Sequence, residues 1–228
     1  MQAIYKANKS VLQSLKIEKQ SSRVGGLKEG ATLADLLSNA KEADASWPAL
    51  QAFWAELTLP GRPPVLFTLD GLAHINKISA YRDPAFNEVH SHDLLLVRMF
   101  TDALSGKTKF PNGAMVLAAT SESNTSRHPS QELVISQLEA GQAGLEIPKP
   151  QPYERGYDNR VYDAIKNARI LRLEGATQDE VRALMEYWGA SGLVRSVLNS
   201  QVVAEKWSLA GHGNIGELER ASLLTMRM

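Results

Sequence analysis

The sequence predicts an α/β protein in which a parallel sheet carries flanking helices and a helical part follows toward the C-terminus. Two strand-sized apolar runs, Val65–Leu69 and Ala114–Ala119, are nearly continuous, as strands buried on both faces of a parallel sheet are. Between them lies a stretch rich in apolar residues at helical spacing, and strand, helix and strand make a right-handed crossover. From Thr177 onward the pattern is helical. The expected division is an α/β domain over residues 1–175 and a helical part over 176–228.

With 228 residues the chain is long enough to bury a sizeable core. Its 25 basic residues balance 25 acidic ones, which excludes a wholesale basic coat for nucleic acid and confines any RNA contact to local patches. Cysteine is absent, so disulfides, thiolate metal sites and cysteine nucleophiles are excluded. No apolar run approaches the roughly 20 residues of a membrane span, and no membrane partner is expected.

Each element has its own signal. Met1–Ile17 carries Lys6, Lys9 and Lys16 without an acid, a composition that suits a mitochondrial presequence. The preferred reading is an ordinary amphipathic helix with Ile4, Val11, Leu12 and Leu15 as its apolar stripe. Residues 18–30 read as a glycine-bearing loop. Thr32 then caps a helix bearing Leu33, Leu36, Leu37 and Ala40. A second helix is expected after Asp44–Trp47, with Pro48 in its first turn and Leu50, Phe53, Trp54 and Leu57 on one face. Leu59–Pro64, with three prolines and a glycine, ends it.

After the first strand the pattern predicts a helix over about Glu88–Leu104, with Leu94, Leu95, Val97, Met99 and Leu104 available for packing, then a turn at Phe110–Gly113 and the second strand. Residues 120–159 turn polar and proline-rich, which reads as a long irregular segment, functional or draped over a partner. A third strand is expected at Arg169–Leu173, closed by Gly175. Thr177 caps a helix through Trp188, and later helices are interrupted at Gly211–Gly216.

An apolar strand ending in Asp70 is the Walker B pattern, in which the carboxylate helps hold Mg²⁺ beside a nucleotide. Gly71 stands where many ATPases place the glutamate that activates water, which argues against efficient hydrolysis. A Walker A loop requires Gly-x-x-x-x-Gly-Lys-[Ser/Thr] between a strand and its helix, because its amides and lysine cradle phosphates. Ser105-Gly106-Lys107-Thr108 fails on position and topology and reads as a solvated turn, and Gly26–Gly30 lacks the lysine. Beyond the second strand, Thr120, Ser121, Ser123 and Asn124 could offer a polar group to a γ-phosphate, or simply begin a loop. His74, His90 and His92 read as surface histidines, since His-x-His on a helix points its rings apart. Arg155, Arg160, Lys166, Arg169 and Arg172 lie near Tyr153, Tyr157 and Tyr162, a mixture that suits RNA phosphates and stacked bases or a solvated face over packed tyrosines.

Taken together, Arg62-Pro63-Pro64-Val65-Leu66-Phe67-Thr68-Leu69-Asp70-Gly71-Leu72, the apolar helix and Gly113–Ser121 resemble the death-associated, GTP-binding protein family of the mitochondrial ribosomal small subunit, with the fungal branch nearest. Ala31–Leu37, Ser46-Trp47-Pro48 and the late Gly213-Asn214 fit the same family. The resemblance implies a partial P-loop NTPase fold of AAA-like type with the Walker A strand and loop absent, their place being expected before Met1. It implies Asp70 as the Walker B carboxylate and Mg²⁺ ligand, and Thr120 or Ser121 as the sensor position. GTP or GDP with Mg²⁺ would be the family's cofactor and none would bind this chain alone. The implied role is structural rather than enzymatic, in the mitochondrial matrix, among small-subunit rRNA and ribosomal proteins and not as a stand-alone oligomer. Two other readings stay open: a fragment of an active AAA-like or signalling NTPase, and a regulatory interaction module.

Overall fold

A computed structural model describes residues 1–18, 30–40, 43–120, 127–194 and 197–223. The chain forms two compact units, Met1–Ile170 and Leu171–Met228. It is an α/β protein with a small parallel sheet. Among the described residues no helix is long and apolar enough to cross a membrane.

The first unit begins with α1 (Gln2–Ser14), α2 (Leu33–Asn39) and α3 (Ala43–Leu57). Thr32 and Asp35 form a capping box that fixes the start of α2. Leu33, Leu36 and Leu37 are buried against Leu12, Ala49 and Phe53, so the three helices share a core. Within the expected stripe of α1, Leu12 is buried while Val11 is exposed. Pro48 sits inside α3 rather than in its first turn, because the helix starts at Ala43. Of the expected loop over 18–30, residues 19–29 lie outside the described residues.

The break after α3 is a built junction. Asn112 accepts from the Gly61 amide at 2.8 Å and donates to the Leu59 carbonyl at 2.7 Å. It thereby ties the proline-rich turn to the turn before the second strand. Beneath it, Arg62 is buried against the carboxylate of Glu56, with Glu18 3.7 Å away.

Strand β1 (Val65–Leu69) leads into β2 (Ile78–Arg82), β3 (Glu88–His90), α4 (Leu95–Leu104) and β4 (Ala114–Ala118). β1 and β4 pair in parallel, Val65 opposite Ala114 through Leu69 opposite Ala118, as the crossover requires. Phe67, Leu69, Val116 and Ala118 pack on Phe100, Val134 and Val161. Both strands were expected to be covered on two faces, and the structure corrects this: Leu66 is 65% and Met115 58% exposed on the other side.

Three expectations about irregular and helical segments are also corrected. Residues 88–90 do not start a helix but pair antiparallel with β2, across a turn in which Asp83 accepts from the amides of Ala85 and Asn87. The packing face of α4 is Phe100, Ala103 and Leu104, while Leu95 is exposed. The segment 120–159 holds a 15-residue helix, α5 (Pro129–Ala143), and the start of α6 (Asn159–Ile165). Proline at the first position of α5 and Gly144 in the left-handed region after it are ordinary helix signals.

The third expected strand does not form. Leu171 and Leu173 are 83% and 84% exposed, and no described strand pairs with 169–173. A strand exists only with a neighbour to bond. At its root, the Gln142 side-chain amide both donates to and accepts from the Ile170 backbone, each at 2.9 Å.

The second unit comprises α7 (Gln178–Ala190), α8 (Ser200–Leu209) and α9 (Ile215–Leu223) around Val181, Met185, Trp188, Val203 and Leu218. Its Gly211–Gly216 interruption is a tight turn on which Ala176 docks. Ala176 N donates to Gly213 O at 2.8 Å and Trp207 Nε1 donates to Ala176 O at 2.8 Å. Gly213 has φ +95°, and a Cβ there would collide with the Ala176 carbonyl, so only glycine fits.

Candidate functional site

The parallel pairing brings the C-terminal ends of β1 and β4 side by side. Ala119 N donates to Leu69 O at 2.9 Å, and Leu72 N donates back to Ala119 O at 2.8 Å. Asp70 and Thr120 therefore stand at the same edge, where open α/β sheets bind ligands. Gly71 turns the chain away at φ +74°. Asp70 is exposed and, among the described residues, has no hydrogen-bond or ion-pair partner. Ser121, Ser123 and Asn124 lie outside the described residues.

Thr120 is held from behind by a chain of side chains. Gln131 Nε2 donates to Thr120 Oγ1 at 3.2 Å, Asn76 Nδ2 donates to Gln131 Oε1 at 2.7 Å, and His92 Nε2 lies 2.8 Å from Asn76 Oδ1. Since the Asn76 amide nitrogen is committed to Gln131, its oxygen accepts and His92 carries its proton on Nε2. Thr120 accepts from Gln131, and among the described residues its own hydroxyl proton has no acceptor.

His90 and His92, expected on the surface, are buried instead. Their rings meet edge to face at 4.8 Å, and the His92 amide donates to His90 Nδ1 at 3.1 Å. His90 ends β3 and His92 lies in the single 3-10 turn Ser91–Asp93 that follows, so the α-helical spacing that would point the two rings apart does not hold here. Burial, assisted by the nearby His90, lowers the His92 pKa to about 4. Burial likewise lowers His90, although Asp158 Oδ2 is 3.7 Å from its Nε2. His74 is exposed as expected.

Sequence reasoning missed this relay because its members are 16, 55 and 11 residues apart. No local pattern announces such a chain. Ser105-Gly106-Lys107-Thr108 is the exit turn of α4, solvated at Gly106 and Lys107, with Ser105 buried and its carbonyl accepting from Asn167 at 3.1 Å. Among the described residues no cluster of three His, Cys, Asp or Glu could hold a metal ion. The described residues offer Mg-nucleotide one carboxylate and one hydroxyl but no backbone cradle for its phosphates, so by themselves they do not fit it.

These features define an α/β protein with a ligand-type sheet edge and a separate helical unit. Residues 1–221 match the family model described as mitochondrial ribosomal death-associated protein 3, and the chain belongs to that family. A Neurospora crassa protein named small ribosomal subunit protein mS29 is 48% identical over the whole chain, which spans about half of that relative's length. The Schizosaccharomyces pombe protein of the same name is 26% identical over 57% of this chain and 25% of its own length. The family expected from the strand-Asp-Gly segment, and its fungal branch, are thus the ones found.

Proposed function

We propose that this chain is a structural constituent of the mitochondrial small ribosomal subunit, contacting rRNA and neighbouring ribosomal proteins and catalysing no reaction. The family match over nearly the whole chain carries the reading. The bare sheet face supports it: parallel strands are ordinarily covered on both sides, and two strands with one apolar face open are weak alone. Leu66, Met115 and Leu117 are adjacent across β1 and β4 and exposed, an apolar face that a neighbour in the particle would cover. Sucrose-gradient fractionation of mitochondrial lysate tests the reading. The chain is expected to travel with the small subunit, and a chain that remains at the top of the gradient refutes it.

The α/β unit is further proposed as part of a P-loop fold of AAA-like type. Asp70 and Thr120 would then be one edge of a GTP or GDP site with Mg²⁺, completed only by a phosphate loop that other residues supply. The chain alone is expected to give no heat of binding when titrated with Mg-GTP in a calorimeter. Tight binding would sink that expectation. The Asp70 carboxylate, without a partner among the described residues, favours one alternative, a piece of an active NTPase, and phosphate release by longer forms carrying a phosphate loop would support it.

A further inference from the structure

The structure sorts the basic and aromatic stretch that the sequence left ambiguous. Tyr162 is half-buried and donates to Gln137 Oε1 at 2.8 Å, and the Tyr157 hydroxyl accepts from the Gln151 amide at 3.1 Å. Arg160 is taken by Asp158 and Asp93, and Lys166 by Asp163. Tyr153 alone among these tyrosines stands clear, 96% exposed.

Its position is built. Glu154 N donates to Gln151 O at 3.2 Å, closing a turn with Pro152 and Tyr153 at its corners, where proline presets the backbone. The approach to the turn is pinned by Gln137 Nε2 donating to Pro148 O at 2.7 Å. Beyond it, Glu154 lies 3.5 Å from the guanidinium of Arg127, which pairs more closely with Glu132 at 2.9 Å. Lys149 and Arg155 flank Tyr153 in sequence, are exposed, and have no ion pair among the described residues. An exposed ring on a pinned turn between two available cations has the composition of a stacking platform for an unpaired base.

We propose that the 148–157 turn is an RNA contact in which an unpaired base stacks on Tyr153 while Lys149 and Arg155 take the adjoining phosphates. The proposal rests on the ribosomal reading and names its contact. The test uses small subunits purified from mitochondria that carry the full chain, irradiated at short wavelength, digested and analysed by mass spectrometry. The peptide containing Tyr153 is expected to carry a nucleotide adduct. Tyr153→Phe should keep the adduct, and Tyr153→Ala should reduce it at least tenfold without altering the chain's folding. Lys149→Ala with Arg155→Ala should lower the salt concentration at which the chain leaves the particle. A photoreactive diazirine side chain at position 153 supplies the second measurement. If it is trapped on protein, or if other peptides of the chain carry RNA adducts and this one none, the proposal is overturned while the ribosomal reading stands. A chain that never enters the particle overturns both.

Discussion

Glu56→Gln should destabilise the first unit by about 3 kcal/mol, the cost of leaving a buried guanidinium with only the exposed Glu18 carboxylate, 3.7 Å away, as its counter-charge. Arg62 and Glu56 are both buried, and Glu56 Oε2 also accepts from the Glu18 amide at 3.2 Å. The pair joins the end of α3 to the segment that delivers the chain into β1. Arg62 Nε finds no acceptor among the described residues, so the guanidinium is incompletely satisfied even in the wild type. Replacing both partners by methionine should therefore recover most of the loss, since apolar packing of similar volume avoids desolvating two charges. Urea unfolding of the purified chain, followed through Trp47 and Trp54 on α3, measures the difference between single and double variants. A single variant within about 1 kcal/mol of wild type would show that solvent reaches Arg62 after all.

How far this fold could be read from sequence depends on where each element finds its partner. α2 was legible because Thr32 and the Leu33-Leu36-Leu37 stripe state its start and its buried face within a few residues, and Asp35 completes the cap in the structure. β1 and β4 were legible as apolar runs, but their environment was not. Composition cannot say whether a face meets another layer of the same chain, and among the described residues Leu66 and Met115 stay largely exposed. The failed strand at 169–173 shows the same limit: alternating Ile170 and Arg172 with Leu171 and Leu173 is a strand-like pattern, yet pairing is a property of two segments. α5 was hidden by the proline-rich context on either side, although Pro129 and Gly144 mark both of its ends. At the sheet edge, Asp70 and Thr120 were visible because each ends an apolar run. Gln131, Asn76 and His92 became recognisable only once the fold had brought them together.

Acidification should weaken the first unit through that relay. His92 is neutral in the folded chain down to about pH 4, whereas in the unfolded chain it titrates near its ordinary 6.5. The unfolded state thus binds the extra proton between these values. Stability is complete above about pH 6.5 and falls as pH drops toward 4, by about 3 kcal/mol in total from this group. The charged neighbours act in both directions: Asp158 and Asp93 favour the imidazolium, and His90 and Arg160 oppose it. Burial outweighs them, and a protonated ring would still hold Asn76 Oδ1 through Nε2–H but would have to bury its charge beside His90. Urea unfolding at pH 7 and pH 5, with wild type compared against His92→Gln, isolates the contribution. The variant loses stability at pH 7 yet should be less sensitive to the drop. An equal pH dependence in both proteins would place the acid sensitivity elsewhere, and the relay behind Thr120 would then be indifferent to the charge of its last member.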